Sequence, residues 1–369
     1  MKALFPLHLF YPSTIGGPAN TLYWLCKALA QKGHEVTVVA TRDGIDEGKV
    51  ELDKWLILDG IQVRYCNSTS KFSRDVIKYS KKKIKENDTV VFSSLCFLPN
   101  LFIAVSARLR GKRIIWSPRG ELFDSAIQGS IAKRLYWGMI NVLMGKRILF
   151  HATSDAEEQV VRAFFPRSQV VIIPNYMELP PMEIVDTDYK DFIYVGRIAP
   201  IKALDKLIDG LEVSQLFRQS TSRMIIVGGV EKQFEEYYNK LLDQVERLGL
   251  NNKVVFVGSK VGKEKYHMFA AARYSFLVSD SENFGNVVIE ALSQGTPVVA
   301  SKGTPWQTLP KVHAGFWIDN TPEEISRTVD TIIKQSKTEY LEYRINALKL
   351  SSTFDIYKHI DEWENILIV

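Results

Sequence analysis

Short apolar runs alternate with helix-period stretches along this chain, and the alternation starts afresh near residue 191. That double rhythm restricts the chain to α/β architecture with parallel sheets, and to two such sheets rather than one. Residues 1–10 read as a strand, Ser13 to Pro18 as a loop with Gly16-Gly17, and Ala19 to Lys32 as a helix. The helix assignment rests on apolar residues at 22, 25, 26, 29 and 30. Gly33-His34 closes it, and Glu35 to Ala40 supplies a second buried strand, completing the β–loop–α–β opening of a doubly wound sheet. No G-x-G-x-x-G is present, so the glycine pair by itself says only that the turn is tight.

The first half continues in the same way. Ile61 to Tyr65, Thr89 to Ser93, Arg113 to Ser117, Ile148 to Ala152 and Val170 to Ile173 read as strands. Helices are expected at Ser73 to Lys85, Pro99 to Arg110, Ile131 to Leu143 and Asp155 to Phe164, the last with Ser154 as N-cap. Residues 177–190, acidic and carrying Pro180-Pro181, read as a linker. Beyond it, Asp191 to Val195, Arg223 to Gly228, Lys253 to Gly258, Tyr274 to Val278 and Pro297 to Ser301 are strands. Helices intervene at 203–211, 231–248, 262–272 and 286–294, and 322–369 is mostly helical. The expected domains are 1–176 and 191–350, with 351–369 a helix returning to the first domain, and a cleft between them.

Length and composition agree. A chain of 369 residues exceeds one ordinary domain, and 46% hydrophobic with 24% charged residues is globular composition. No run reaches the roughly 20 apolar residues of a membrane span. The start reads as a strand rather than a signal peptide, and Cys26, Cys66 and Cys96 lack metal-type spacing, so a cytoplasmic setting is expected. Net charge is +5 but uneven, because residues 61–150 hold 17 Lys+Arg against 5 Asp+Glu. An anionic surface or substrate is expected on that side.

The chemistry concentrates in Ser279 to Leu292, between a strand and a helix, where open α/β sheets bind ligands. Glu282 falls in the loop and Glu290 about one turn inside the helix. The amides near Gly285 and Asn286 head that helix, where an anion is favoured. Arg197 and Lys202 sit in the loop after the strand 191–195, on the same sheet edge. A guanidinium and an ammonium five residues apart suit a diphosphate. A sugar joined to a nucleoside diphosphate would engage all of these groups.

With Gly196-Arg197, Lys202 and Glu282-x7-Glu290 inside Glu-Asn-Phe-Gly-Asn-Val-Val-Ile-Glu-Ala-Leu, the chain resembles glycosyltransferase family 4. Gly16-Gly17, Pro174-Asn175 and Pro297-Val298-Val299-Ala300 extend the resemblance over nearly the whole length. It implies the GT-B fold and retaining transfer of a hexose-type sugar from a UDP- or GDP-linked donor. Arg197, Lys202 and Glu282 would be the catalytic residues, with the two cations on the diphosphate and Glu282 positioning the sugar. Gly16, Gly17, Val261, Phe284, Gly285, Asn286 and Glu290 would bind the donor, Val261 near the base and Glu290 on the ribose, and Arg119 would bind donor sugar or acceptor phosphate, the alternative being a cation that fixes its own loop. Retention would come from front-face attack with the leaving phosphate as base.

One stretch departs from the family. Where His-Gly is frequent, this chain has Pro118-Arg119-Gly120-Glu121, similar to a subgroup of bacterial polysaccharide assembly. Arg119 stays charged and is no neutral proton relay. His151 reads as a packed core residue. No cofactor or metal is expected, since the lone D-x-D, Asp186-Thr187-Asp188, falls in the linker. The basic helix 73–85 beside the apolar run 131–147 suits an anionic membrane, at the inner leaflet, with a polyprenyl-diphosphate-linked glycan as acceptor for O-antigen, capsule or exopolysaccharide assembly. The competing readings are a GT-B sugar-nucleotide epimerase and a non-catalytic membrane- or nucleic-acid-binding protein. The Lys-rich, helix-borne cluster lacks the interleaved aromatics of single-strand binding, so no nucleic-acid partner is expected.

Overall fold

A computed structural model describes residues 1–15, 17–127, 129–185 and 188–368. Gly16 and the Asp186-Thr187 pair therefore lie outside the described residues. The chain divides into two compact units, Met1–Glu178 with Asp355–Val369, and Leu179–Phe354.

Unit 1 holds an eight-stranded sheet. Its strands are β1 (Lys2–Leu7), β2 (Glu35–Thr41), β3 (Trp55–Leu58), β4 (Ile61–Cys66), β5 (Thr89–Ser93), β6 (Arg113–Ser117), β7 (Ile148–Ala152) and β8 (Gln169–Ile172). The order is β3-β4-β2-β1-β5-β6-β7-β8, parallel throughout except for the β3–β4 pair. Buried on both faces, the central strands are continuously apolar, as Ala3-Leu4-Phe5 and Val90-Val91-Phe92 illustrate. The helices are α1 (Gly17–Gln31), α2 (Arg74–Lys83), α3 (Pro99–Leu109), α4 (Asp124–Ile127), α5 (Ile131–Met144) and α6 (Asp155–Phe164). Ser73, Ser130 and Ser154 cap α2, α5 and α6, each accepting from the backbone N–H three residues on.

One core layer packs Val76 of α2, Ile103 and Ala107 of α3, Trp137 and Ile140 of α5 and Val161 of α6 against the same sheet face. Right-handed crossovers running one way across the sheet put these four helices together. The α1 connection runs the other way, from β1 to β2. The chain segment 355–368 also belongs to this unit. Ile356 N donates to Met177 O at 3.0 Å, and Thr89 Oγ1 donates to Leu367 O at 2.9 Å.

Unit 2 holds β9 (Phe192–Val195), β10 (Met224–Val227), β11 (Val254–Phe256), β12 (Tyr274–Leu277), β13 (Val298–Ser301) and β14 (Gly315–Ile318). All pairings are parallel, in the order β11-β10-β9-β12-β13-β14. Its helices are α7 (Leu204–Val213), α8 (Gln215–Gln219), α9 (Glu235–Arg247), α10 (Gly262–Ala271), α11 (Asn286–Ser293), α12 (Pro322–Lys334) and α13 (Lys337–Ser351). Helix α14 (Ile356–Ile368) completes unit 1. Four elements have no counterpart in the sequence reading: the edge strand β3, the short helices α4 and α8, and the strand β14. In each sheet the winding direction reverses at one place, between β1 and β5 and between β9 and β12. Loops leave the carboxyl ends of strands at those reversal points, and ligands bind there in open α/β sheets.

Candidate functional site

The loops after β9 and β12 meet. Asp280 N donates to Ile201 O at 2.9 Å, joining the 196–203 loop to the 279–285 loop. The second loop is held from below by the chain after β13. Ser301 Oγ donates to Ser279 O at 2.5 Å and Glu282 N to Gly303 O at 2.9 Å. Gly303 has no room for a side chain, because a Cβ there would meet Asp280 O at 2.4 Å and Ser279 O at 2.6 Å. Gly228 is pressed just as closely, a Cβ falling 2.0 Å from Gly196 O. Contacts of backbone on backbone therefore set the path of both site loops.

On this platform Lys202 and Glu282 form an ion pair through Nζ and Oε2, with side chains 14% and 19% exposed. Ser279 Oγ adds a hydrogen bond to the same carboxylate oxygen at 3.3 Å. Lys202 is delivered by a single 3₁₀ turn, Pro200–Lys202, after which Ala203 adopts φ +50° to start α7. A non-glycine residue in that region costs about 1–2 kcal/mol, so surrounding contacts hold the turn. Arg197 points elsewhere, its Nη1 2.8 Å from Glu231 Oε1 and its side chain half exposed. Tyr194, a buried residue of β9, fixes the backbone of the Arg197 loop, its hydroxyl donating to Arg197 O at 2.8 Å. Burial, and secondarily the Glu282 carboxylate, push that phenol above its ordinary range.

Gly285 caps α11 at φ +82°, and a Cβ there would meet Leu277 Cδ2 at 2.8 Å and Glu282 Cγ at 3.3 Å. Phe284 turns its ring into the interior, edge-on to Trp306 at 5.4 Å, while Trp306 Nε1 donates to its carbonyl at 2.6 Å. Asn286 opens the helix, and Val288 N donates to Gly285 O at 2.9 Å. Glu290 is buried within α11 and paired with Lys265 of α10 at 2.7 Å. Val261, 73% exposed, is the N-cap of α10, four residues before Lys265. The structure thus brings Lys202 and Glu282 together with Gly285 packed against Glu282, while Arg197 pairs with Glu231 and Glu290 with Lys265. Glu231, Lys265 and Gly303 were missed in the sequence. Nothing local marks them, because each meets its partner from a part of the chain distant in sequence.

In unit 1, Gly17 is the exposed first residue of α1, after β1. The preceding loop leans on Gly44, where a Cβ would lie 2.5 Å from Ile15 Cγ1 and Ser13 Oγ. Arg119 follows β6 at φ +56°, its Nη1 donating to Asn175 Oδ1 at 2.6 Å. Its Nε and Nη2 are buried and have no acceptor among the described residues. Burial lowers the guanidinium to about 10, against the opposing pull of the Glu157 carboxylate, which still leaves it charged at neutral pH. Glu157 also accepts from Gly120 N at 2.6 Å and Thr153 N at 2.8 Å, tying the Arg119 loop to the end of β7. His151 is a core residue, as expected. Its ring bridges Ser117 Oγ and Ile173 O, both at 2.8 Å, and burial followed by the Arg119 charge holds it at about 3. Two buried N–H groups on a charged guanidinium without an acceptor are suited to an anionic or oxygen-rich ligand. Among the described residues no group of three or more His, Cys, Asp or Glu side chains is arranged to hold a metal ion.

Two doubly wound units of this kind define the GT-B fold. HepE of Anabaena, solved with UDP and glucose, superposes with a TM-score of 0.77 over 99% of each chain at 20% identity. WaaG, a glycosyltransferase involved in lipopolysaccharide biosynthesis, gives 0.68 over 100% of each chain at 17% identity. Residues 157–350 match the sequence model for glycosyl transferases group 1, and residues 15–179 match that for glycosyltransferase family 4. The chain belongs to the group 1 glycosyl transferases, in family 4 with the GT-B fold. An uncharacterized glycosyltransferase of Methanocaldococcus jannaschii is 28% identical over 49% of this chain and 44% of its own length. The mannosylfructose-phosphate synthase of Agrobacterium fabrum is 30% identical over 41% of this chain and 30% of its own. These matches thus span less than half the length of either relative. A Haemophilus influenzae uncharacterized glycosyltransferase is 23% identical over 95% of this chain and 96% of its own.

Proposed function

We propose that this glycosyltransferase moves a hexosyl group, with retention, from a nucleoside-diphosphate sugar to a lipid-diphosphate-linked glycan in bacterial surface-polysaccharide assembly. The observation that carries the donor side is the Lys202–Glu282 pair at the β9/β12 reversal, beside the N-terminus of α11. That arrangement juxtaposes a cation for phosphate, a carboxylate for sugar hydroxyls and a helix start that favours negative charge. The Arg197 side chain is half exposed and its guanidinium is paired with Glu231, so it is able to exchange that carboxylate for a diphosphate. Glu290 with Lys265 beside it would receive the ribose hydroxyls, and Val261 would lie toward the base. Solved relatives of the same fold carry UDP or UDP-glucose, which supports a nucleotide-linked donor.

In the reaction the bond from the anomeric carbon to the β-phosphate oxygen breaks, and the acceptor oxygen bonds to that carbon from the same face. The acceptor's proton passes to the departing phosphate oxygen. Lys202 and Arg197 stabilise the charge that develops on the diphosphate, and Glu282 holds the sugar in place. No metal is required in this scheme. Arg119, with two buried N–H groups lacking acceptors, would bind an anionic or hydroxyl group of donor or acceptor. The enzyme would work at the cytoplasmic leaflet, where the lipid-linked acceptor resides. Thermal-shift titration with UDP, GDP and their sugars tests the reading. One nucleoside diphosphate should stabilise the protein, with or without EDTA. If Arg197→Ala and Lys202→Ala leave that stabilisation and sugar transfer unchanged, the assignment is wrong.

A further inference from the structure

The outward side of helix α5 is largely apolar. Its inner side buries Trp137, Ile140 and Met144. Its outer side exposes Ile131 at 73%, Leu135 at 71% and Val142 at 84%, spaced i, i+4 and i+11, with Met139 and Leu143 alongside. A surface helix ordinarily turns polar residues outward. Helix α3 repeats the anomaly, although in the sequence it reads as an ordinary helix. Ile103, Ala104 and Ala107 are buried, while Leu98 at its N-cap, Phe102, Val105 and Leu109 form an exposed stripe, Leu109 at 80%. The two stripes are neighbours. Both helices cover the same sheet face, and an Arg108 guanidinium N–H donates to the Leu143 carbonyl. Phe72, preceding α2, extends the patch edge-on to Phe102 at 6.0 Å. An apolar surface of this extent marks an interaction site.

The charges say what covers it. Neither α3 nor α5 contains an Asp or Glu, whereas Arg108, Arg110, Arg134, Lys146 and Arg147 are exposed in or beside them. The adjoining α2 adds exposed Lys78 and Lys82. A second copy packed face to face by a two-fold axis would set these cations against their own kind. A bilayer with anionic headgroups takes up apolar side chains below and pairs with Lys and Arg at the rim, whose stems reach upward. At 11 and 14 residues, α3 and α5 fall short of the roughly 20 needed to span the hydrocarbon. We propose that the outer faces of α3 and α5 dock this enzyme, lying flat, on an anionic phospholipid surface. The proposal deepens the lipid-linked-acceptor reading and rests on it for its purpose, while its residues lie in unit 1 alone.

Sedimentation of the whole protein with vesicles tests it, using phosphatidylcholine alone and a phosphatidylcholine–phosphatidylglycerol mixture. The native protein should pellet with the mixed vesicles only. Leu109→Ser/Leu135→Ser/Val142→Ser should bind at least about tenfold more weakly. Arg134→Gln/Lys146→Gln/Arg147→Gln should lose about fivefold per charge, and high salt should mimic it. All these residues are exposed, so nucleotide-dependent thermal stabilisation should persist in both variants. Native protein that stays in the supernatant, or a serine variant that pellets like the native, overturns the docking and leaves donor binding standing. Vesicle binding without any nucleotide stabilisation supports the docking and counts against the donor reading. A dimer seen by light scattering and abolished by the serine substitutions, with no vesicle binding, assigns the face to a second copy and overturns the proposal.

Discussion

Replacing Lys202 by Met would separate what its pairing with Glu282 does for stability from what it does for donor binding. The side chains have similar length, so the change removes the charge and leaves most of the packing. Glu282 would lose its cation and keep the weaker Ser279 hydroxyl at 3.3 Å. A fully buried pair broken on one side costs about 3–5 kcal/mol and an exposed one about 0–1. At 14% and 19% exposure the Lys202–Glu282 pair falls between, and about 2 kcal/mol is expected. For a unit of this size that corresponds to a melting temperature lowered by about 4–8 °C. Adding Glu282→Gln removes the stranded charge and should restore much of the loss. Donor binding should not follow. A charge-assisted hydrogen bond to phosphate is worth about 1.5–3 kcal/mol, so nucleotide-sugar affinity should drop about 10–100-fold in both the single and the double variant. Melting curves and calorimetric titration with the preferred nucleoside diphosphate give both readouts. If the double variant regains donor affinity together with its melting temperature, the pair only braces the loops, and the catalytic assignment of Lys202 is refuted.

Three further outcomes follow from the same geometry. Gly285→Ala should destabilise by about 2–4 kcal/mol, since left-handed strain is compounded by the contact with Leu277, whereas Gly258→Ala, at φ +74° with open space, should cost only about 1–2 kcal/mol. Equal melting temperatures for the two variants would refute the packing argument. The His151 imidazole is held at about 3 in the folded state, below its unfolded value, so the unfolded chain takes up the proton first. Its contribution is complete above about pH 7 and declines as pH falls through 6.5 toward 3, by up to about 1.4 kcal/mol per pH unit; in urea unfolding from pH 7 to 4, His151→Gln should show the shallower decline. Arg119→Gln should leave the ligand-free melting temperature unchanged or raised, because a buried charge with two unpaired N–H groups is removed. Steady-state kinetics should nevertheless show at least a tenfold loss in kcat/KM; unchanged kinetics would make Arg119 a loop brace.

The parts of the fold legible in the sequence were those whose signal is local. The buried strands β5, β6 and β7 each hold three consecutive large apolar residues, and Ser154 announced α6 by capping it. β3 was hidden because Trp55–Leu58 is an edge pairing antiparallel with β4, in a stretch of alternating charges. β14 is four residues long and finds its identity only in pairing with β13. At the site, Glu282 and Lys202 were found because each follows a strand, and both strands flank the reversal of the sheet. That Arg197 would turn to Glu231 and Glu290 to Lys265 depended on which loops the strand order places side by side, and spacing along the chain holds no record of it. The exposed faces of α3 and α5 illustrate the opposite difficulty. Their apolar residues were visible, but only the folded layer shows which of them remain outside.

Unit 1 closes through α14, whose residues follow the whole of unit 2 in the chain. Trp363 lies 4.5 Å from the His151 ring, and Lys32 at the end of α1 pairs with Asp361 at 2.6 Å. On the ribosome, then, unit 2 can complete itself while unit 1 still waits for its last helix. For the time needed to make residues 179–354, the face of α1 that α14 will cover and the Thr89 hydroxyl that will bind Leu367 lie open to other proteins. The order of synthesis makes the unit that begins first the one that finishes last, and its vulnerable period is set by the length of its neighbour.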